Sequence, residues 1–296
     1  MKKIFLLAAA VGAAFTLNAK QVQVVDTIFT DNFANLDNYT LTSPGNKIVA
    51  ENNVLVMRYV SGSPAQNIAV SSYARDTALN EMPVDSLVWT FNMRQNYNGT
   101  LSGFDSSKRG IATMLVASGD DLKTVNGYAI ALGGTSNSKQ YRLVKVAGGL
   151  LGNDHLTDII AGQEGSDYRE YRTFRVVYIP ESKTWKMQEV ISAYNSAFVA
   201  PQDVETWTED GTAVDDTYGN IHLNNFGFYQ NYAGTVTFNA FFANFTLAAY
   251  RTVDQPDTPT ALDNAKNANH CTKMIENGQM VIIRNGVKYS LTGAAL

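Results

Sequence analysis

Between Val22 and Tyr250, apolar and polar residues alternate with a period of two, and no long stretch repeats every 3.6 residues. Successive side chains of an extended strand point to opposite faces. This rhythm therefore calls for sheets with a buried face and argues against a helical bundle. In S-L-V-W-T-F-N-M-R, Leu87, Trp89, Phe91 and Met93 share one face, and Val88, Thr90, Asn92 and Arg94 share the other. In T-F-R-V-V-Y-I-P, Phe174, Val176 and Tyr178 fall together, and Pro180 closes the run. V-L-V-M-R-Y-V, I-A-T-M-L-V-A-S, G-Y-A-I-A-L-G and Q-Y-R-L-V-K-V read as further strands between turns rich in Gly, Asn, Asp and Ser. The run T-V-T-F-N-A-F-F-A-N-F-T-L breaks parity. Val236 and Phe238 fall on one side, Phe241 and Phe245 on the other, so a bulge near Ala240 is expected to bring all four inward. Many short strands with regular turns predict an all-β sandwich of two antiparallel sheets.

Both ends depart from this rhythm. Met1-Lys2-Lys3 is basic, Ile4 to Leu17 is apolar, and Ala19 is a small residue at a cleavage position, which predicts a signal peptide over residues 1–19. The apolar run is shorter than the roughly 20 residues that span a bilayer. The mature chain is expected to lack a transmembrane segment and to be exported, to the extracellular space or outer cell surface, with the periplasm as the alternative. Removing Lys2 and Lys3 leaves 21 basic against 27 acidic residues, a net charge of −6 instead of −4. That disfavours nucleic acid, whose phosphates need a basic surface. The lone cysteine, Cys271, has no intramolecular disulfide partner, so the fold must be held by its core.

Residues 20–250 form the predicted sandwich. Residues 251–272 contain two prolines and many Asn and Asp residues, and read as a linker. Residues 273–296 contain Asn277-Gly278 and Asn285-Gly286, each suited to a two-residue type I′ hairpin turn. They predict a small three-stranded meander. So short a sheet buries little by itself, so it needs the main domain or a receptor at its open edge.

The order of four segments carries a resemblance. They are T-I-F-T-D-N-F-A-N-L-D-N-Y-T (27–40), G-Y-A-I-A-L-G-G with Y-R-L-V-K-V-A-G-G-L (127–150), F-R-V-V-Y-I-P-E-S-K-T-W-K-M-Q (174–188), and the closing run 226–247. Residues 26–250 resemble the concanavalin-A-like, laminin-G-like domains. The resemblance implies a jelly-roll sandwich, a fold that hosts lectins, glucanases and adhesive modules, so fold does not settle function. The tail resembles the C-terminal segments of exported Bacteroidota proteins associated with type IX secretion sorting, through Asn277, Gly278, Arg284, Asn285, Gly286, Tyr289 and Gly293. It is shorter than fuller sorting domains and lacks their closing basic residue. The resemblance implies export machinery as a partner of the tail.

Catalytic signatures are sparse. The string E-G-S-D-Y-R-E (164–170) spaces its acids so that a regular strand would send Glu164 and Asp167 to opposite faces. Paired-carboxylate hydrolysis needs both acids about the scissile bond, so the string reads as a polar turn. His155, His222 and His270 lack metal-ligand spacing, and no nucleophile elbow or Walker loop is present.

Two stretches suit binding. Pro201–Asn220 reads as a long acidic loop bearing Trp207 and Tyr218 among Asp203, Glu205 and Asp210. Aromatic faces can cover the apolar patches of sugars while carboxylates accept from hydroxyls. No cofactor is expected unless it is Ca²⁺, for which Asp210, Asp215 and Asp216 are the candidate ligands. The solvated loop, with Trp207 folded back on the sandwich, is the plain alternative. Asn96–Gly110, with Tyr97, Phe104 and Arg109, reads as a mobile connecting loop. Trp89 and Trp185 read as core. The expected function is a non-enzymatic, exported β-sandwich that binds a glycan or cell-surface polymer, or serves as an adhesive module. The alternatives are a glycoside hydrolase or polysaccharide lyase with carboxylates on separate strands, and a structural surface protein without a small ligand.

Overall fold

The strand read from S-L-V-W-T-F-N-M-R lies at the middle of a large sheet; Leu87, Trp89, Phe91 and Met93 enter the core, and Val88 and Asn92 on the other face are buried too. In the computed structural model, residues 20–134, 139–255, 271–276, 279–284 and 287–290 are described. The strands are β1 Lys20–Asp31, β2 Thr40–Thr42, β3 Ile48–Glu51, β4 Val54–Met57, β5 Ala65–Ser72 and β6 Ser86–Gln95. Next come β7 Gly110–Ala117, β8 Gly127–Leu132, β9 Arg142–Val146, β10 Leu156–Ala161, β11 Tyr171–Ile179 and β12 Thr184–Ser192. The last are β13 Thr208–Val214, β14 Asn225–Tyr232, β15 Ala240–Gln255, β16 Cys271–Glu276, β17 Gln279–Arg284 and β18 Val287–Tyr289. Short 3₁₀ turns occur at Leu79–Glu81 and Pro201–Asp203.

Two sheets build the jelly-roll sandwich. The first runs β13-β12-β11-β6-β15-β4-β3, with β1 also on β15; the second runs β10-β9-β8-β7-β14-β5-β2. The neighbouring pairs are antiparallel. The main core lies between them. Leu87, Trp89, Phe91 and Met93 of β6 meet Tyr128 and Ile130 of β8 and Phe226 and Phe228 of β14 in one buried cluster. Trp89 and Trp185 stack at 5.9 Å, and Phe226 lies parallel to Phe245 at 4.8 Å and 1°. Trp89 Nε1 donates to Tyr73 Oη, which donates to the Leu115 carbonyl, so the polar tips of these two rings are satisfied.

The second sheet is buried on both faces. Ala112, Met114, Ala129, Ala131, Val144 and Tyr229 form a second cluster with Phe104, Leu122 and Leu150 from the loops that cover it. The cover is tight. Gly149 sits at φ +100, and a Cβ there would meet the Lys123 carbonyl carbon at 1.9 Å. The Asn96–Gly110 segment belongs to this cover, which corrects the mobile-loop expectation: Phe104 is buried, its N–H donates to Asn153 Oδ1, and Asp105 accepts from Asn153 N and Nδ2.

The parity break in the closing strand is resolved four residues later than expected. Ala243 pairs with Asn92 and Thr246 with Thr90, so β15 advances three residues against two of β6. Asn244, at φ +51, is the residue that takes up the bulge. Phe238, Phe242 and Phe245 all enter the core, whereas Phe241 faces outward beside Arg94.

The sandwich unit spans Gln23–Thr252, and β15 runs past the expected boundary at Tyr250 to Gln255. Cys271 and Thr272, expected in the linker, begin β16. Residues 256–270 and the 1–19 signal region lie outside the described residues. The C-terminal unit contains the antiparallel sheet β16-β17-β18. Glu276 pairs with Gln279 and Arg284 with Val287, so each connection is two residues long. Asn277, Gly278, Asn285, Gly286 and Gly293 lie outside the described residues; Arg284 and Tyr289 end β17 and β18.

Truncating Phe245 to Ala removes the ring stacked on Phe226. It is expected to lower unfolding free energy by about 3–5 kcal/mol, seen as a lower urea midpoint with an unchanged slope.

Candidate functional site

The outer face of the first sheet is the one the sequence leaves polar, and the strand register orders it into rows. Gln188, Arg175, Thr90 and Thr246 are consecutive cross-strand partners on β12, β11, β6 and β15. Thr30 of β1 continues the row, its Oγ1 2.9 Å from Thr246 Oγ1. From Arg175 to Thr30 the row crosses three strand spacings, roughly 14 Å.

A strap crosses this face. The chain between β12 and β13 leaves the sheet edge and passes over β11 and β6 before returning. The Val199 carbonyl anchors it, accepting from Asn92 Nδ2 and Thr173 Oγ1, each at 2.9 Å. Asn244 Nδ2 donates to Asn92 Oδ1 at 2.7 Å, linking the β15 bulge to the same anchor. Beyond Val199 the strap turns at Pro201–Asp203 and reaches Trp207.

Strap and sheet enclose a groove of about 560 Å³. Thr90, Arg175, Asn244 and Thr246 contribute from the sheet, Gln202 and Trp207 from the strap, and Tyr250 and Thr30 from β15 and β1. Trp207 is half-buried: it is folded against the sandwich and also lines the cavity. Two aromatic rings, hydroxyls, amides, one guanidinium and the Asp31 carboxylate suit a polyhydroxylated ligand.

The other residues of the expected loop do not join Trp207. Thr208–Val214 is a strand rather than loop; it pairs with β12 and carries the chain roughly 20 Å. Asp203 and Glu205 are exposed on the strap and do not line the groove. Tyr218 lies beyond the far end of β13, packed edge-on to the core residue Tyr128 at 5.9 Å. Asp215 there accepts from Tyr128 Oη at 2.8 Å and Lys145 Nζ at 3.0 Å. Burial opposes the Asp215 charge, but hydrogen bonds from Tyr128, Thr217 and Lys145 outweigh it and hold the carboxyl below the usual range. Asp216 pairs with Lys183 at 2.5 Å and accepts from Asn80. Their oxygens are thus bonded by the protein itself, and Asp210 lies several residues back along β13. The Ca²⁺ set of Asp210, Asp215 and Asp216 is not assembled. Among the described residues no group of three His, Cys, Asp or Glu side chains is placed to hold a metal.

The polar turn before β11 leads into a cluster that sequence reasoning missed. Glu170, expected in that turn, is buried, and its Oε2 accepts from Arg172 Nη2 at 3.0 Å. Arg172 Nη1 donates to Glu189 Oε2 at 2.7 Å, and Glu189 Oε1 accepts from the Gln163 amide at 2.5 Å. Gln163 Nε2 donates to Asp210 Oδ1, so one glutamine joins β12 to β13. Glu189 is fully buried and both its oxygens are bonded, so the cluster clasps strands rather than flanking a substrate bond. Burial, reinforced by the neighbouring Glu189 charge, pushes the Asp210 carboxyl up to about 7. Its Oδ2 is buried without a partner, as suits a protonated acid.

No protein-family model and no curated protein matches the chain. Among solved structures, the potassium-bound carbohydrate recognition domain of Emp46p is 16% identical, with 74% of this chain and 92% of that chain covered, at a TM-score of 0.44. Lectin UEA-II complexed with galactose is 13% identical, covering 78% and 98%, at 0.47. Lectin I from Ulex europaeus, in complex with the methyl glycoside of α-L-fucose, is 16% identical, covering 77% and 98%, at 0.46. At these scores the likeness is distant, and the fold rests on the chain's own strand pairing.

Asp210 also sets a pH dependence. Its folded pKa lies above its unfolded one, so the folded state binds the extra proton and its contribution to stability falls as pH rises from about 4 to about 7. Asp210→Asn is expected to gain stability over the parent at pH 7.5 relative to pH 4.5. Urea unfolding of both proteins at the two pH values measures this, and an equal difference at both would contradict it.

Proposed function

We infer that the sandwich is a carbohydrate-binding module and that the groove under the strap is its site. The observation that carries this reading is the row of hydrogen-bonding side chains Arg175, Thr90, Thr246 and Thr30, flanked by the rings of Trp207 and Tyr250. A sugar has apolar C–H patches and rings of hydroxyls, and this groove offers a surface for each. The row is longer than a single ring needs and suits a short oligosaccharide. The work assigned to the groove is binding.

The same reading makes the protein an exported one, with residues 1–19 as the cleaved leader. The C-terminal sheet acts as an address read by export machinery, in the manner of type IX sorting segments. What supports the address is the sheet's form: three short strands with two-residue connections, whose outer strands offer open edges to a receptor.

Trp207→Ala is expected to weaken oligosaccharide binding at least tenfold in calorimetric titration while leaving the thermal midpoint within a few degrees. Binding undiminished by this change would reject the groove. Deleting residues 273–296 is expected to abolish surface display while the sandwich still folds. Cell-surface labelling of the truncated protein in its own host checks this.

A further inference from the structure

A second depression lies on the same outer face, on the opposite side of the strap anchor. It measures about 540 Å³ and is lined by Arg94, Tyr171, Phe198 and Phe241, with Asn96 and Glu51. Its geometry follows from register. Phe241 is the cross-strand partner of Arg94, and Met93 pairs with Arg172, which brings Tyr171 alongside. Arg94 therefore sits between two aromatic neighbours, 3.9 Å over the Tyr171 ring and 5.3 Å from that of Phe241. Phe198 of the strap meets Tyr171 edge-on at 4.8 Å.

The charge in this depression is uncompensated. Arg58, Arg142, Arg169, Arg172 and Arg251 each pair with a carboxylate. Arg94 pairs with none among the described residues. Glu51, the acid in the lining, is engaged by Arg58 through both oxygens. Asn96 Oδ1 accepts from the Asn239 amide, so its free polar group is a donor. Arg94 is half-buried, and that burial draws its pKa below the ordinary guanidinium value. A desolvated cation stacked between rings gains most from a counter-charge delivered in its own plane. Its Nε is sealed without a partner, leaving the terminal nitrogens as the fork.

We propose that this pocket binds the carboxylate of an acidic sugar, a uronic acid unit, with Arg94 pairing the carboxylate and Tyr171, Phe198 and Phe241 contacting the ring. A planar carboxylate matches a single guanidinium fork, whereas a tetrahedral sulfate ester calls for more donors than the pocket supplies. The pocket lies roughly 13 Å along β6 from the groove, four residues at strand spacing. Arg175 in the groove is also unpaired among the described residues, but the Asp31 carboxylate lines the same groove, so the preference for an anion belongs to the Arg94 pocket. The proposal deepens the carbohydrate-binding reading by naming the substrate class, and rests on it.

The test titrates the full mature chain with trisaccharides of galacturonate, glucuronate and mannuronate, each as free acid and as neutral methyl ester. At least one free acid is expected to bind ten or more times tighter than its ester. Arg94→Gln is expected to erase that preference. Ala197→Glu, an exposed change that sets a carboxylate at the pocket wall, should do the same without touching the core. Near-ultraviolet circular dichroism verifies the fold of each variant. Equal affinity for acid and ester, or a preference surviving both substitutions, overturns the pocket. So does tighter binding of sulfated sugars or of an acidic peptide. Neutral binding that is lost in Trp207→Ala but indifferent to Arg94→Gln leaves the groove standing while this pocket fails. A preference that needs Arg94 but not Trp207 leaves the pocket standing while the groove fails.

Discussion

One inserted residue in β15 governs both sides of the first sheet. Asn244 takes up the bulge at positive φ, and the strand changes parity across it. Phe242 and Phe245, three residues apart, can then both point into the core, where Phe245 stacks on Phe226. The same insertion turns Asn244 outward to Asn92, whose amide helps anchor the strap at Val199. Without it, either the aromatic packing or the strap would lose its footing, because strand parity cannot satisfy both across an odd spacing.

The two sheets play unequal parts. The second is covered on its outer face by loops pinned through Phe104, Leu122 and Leu150, so its central strands are buried on both sides. An open pleated surface is therefore left on the outer face of the first sheet. There the strap divides a polar pleated surface into two depressions of similar volume but different chemistry. One joins hydroxyls and amides to Trp207 and Tyr250. The other encloses a lone guanidinium among rings. Both are built from residues that the core's inward demands push outward.

Much of the fold was legible from residue pattern. The inward run Leu87, Trp89, Phe91 and Met93, the core placement of Trp89 and Trp185, and the three-stranded tail with its two-residue connections follow from periodicity and turn chemistry. Of the binding residues read from the sequence, only Trp207 lines the groove. Its expected companions are near it in sequence, but β13 is a strand, and a strand moves its ends apart instead of gathering them. Glu170 shows the same limit: its neighbours mark a turn, and only β12 brings Glu189 across to share Arg172.

The sequence by itself determined the alternation, the layered all-β architecture, and which residues of β6 and β11 would turn inward. These are local properties, set by parity and by which residues tolerate a turn. Tertiary structure alone decided which wet residues meet. Arg175, Thr90 and Thr246 are far apart in the chain, and so are Arg94, Tyr171 and Phe241. Their adjacency comes from strand order and register, which depend on how the two inner faces pack together. No local pattern encodes that, because each strand could pair on its own terms with many others.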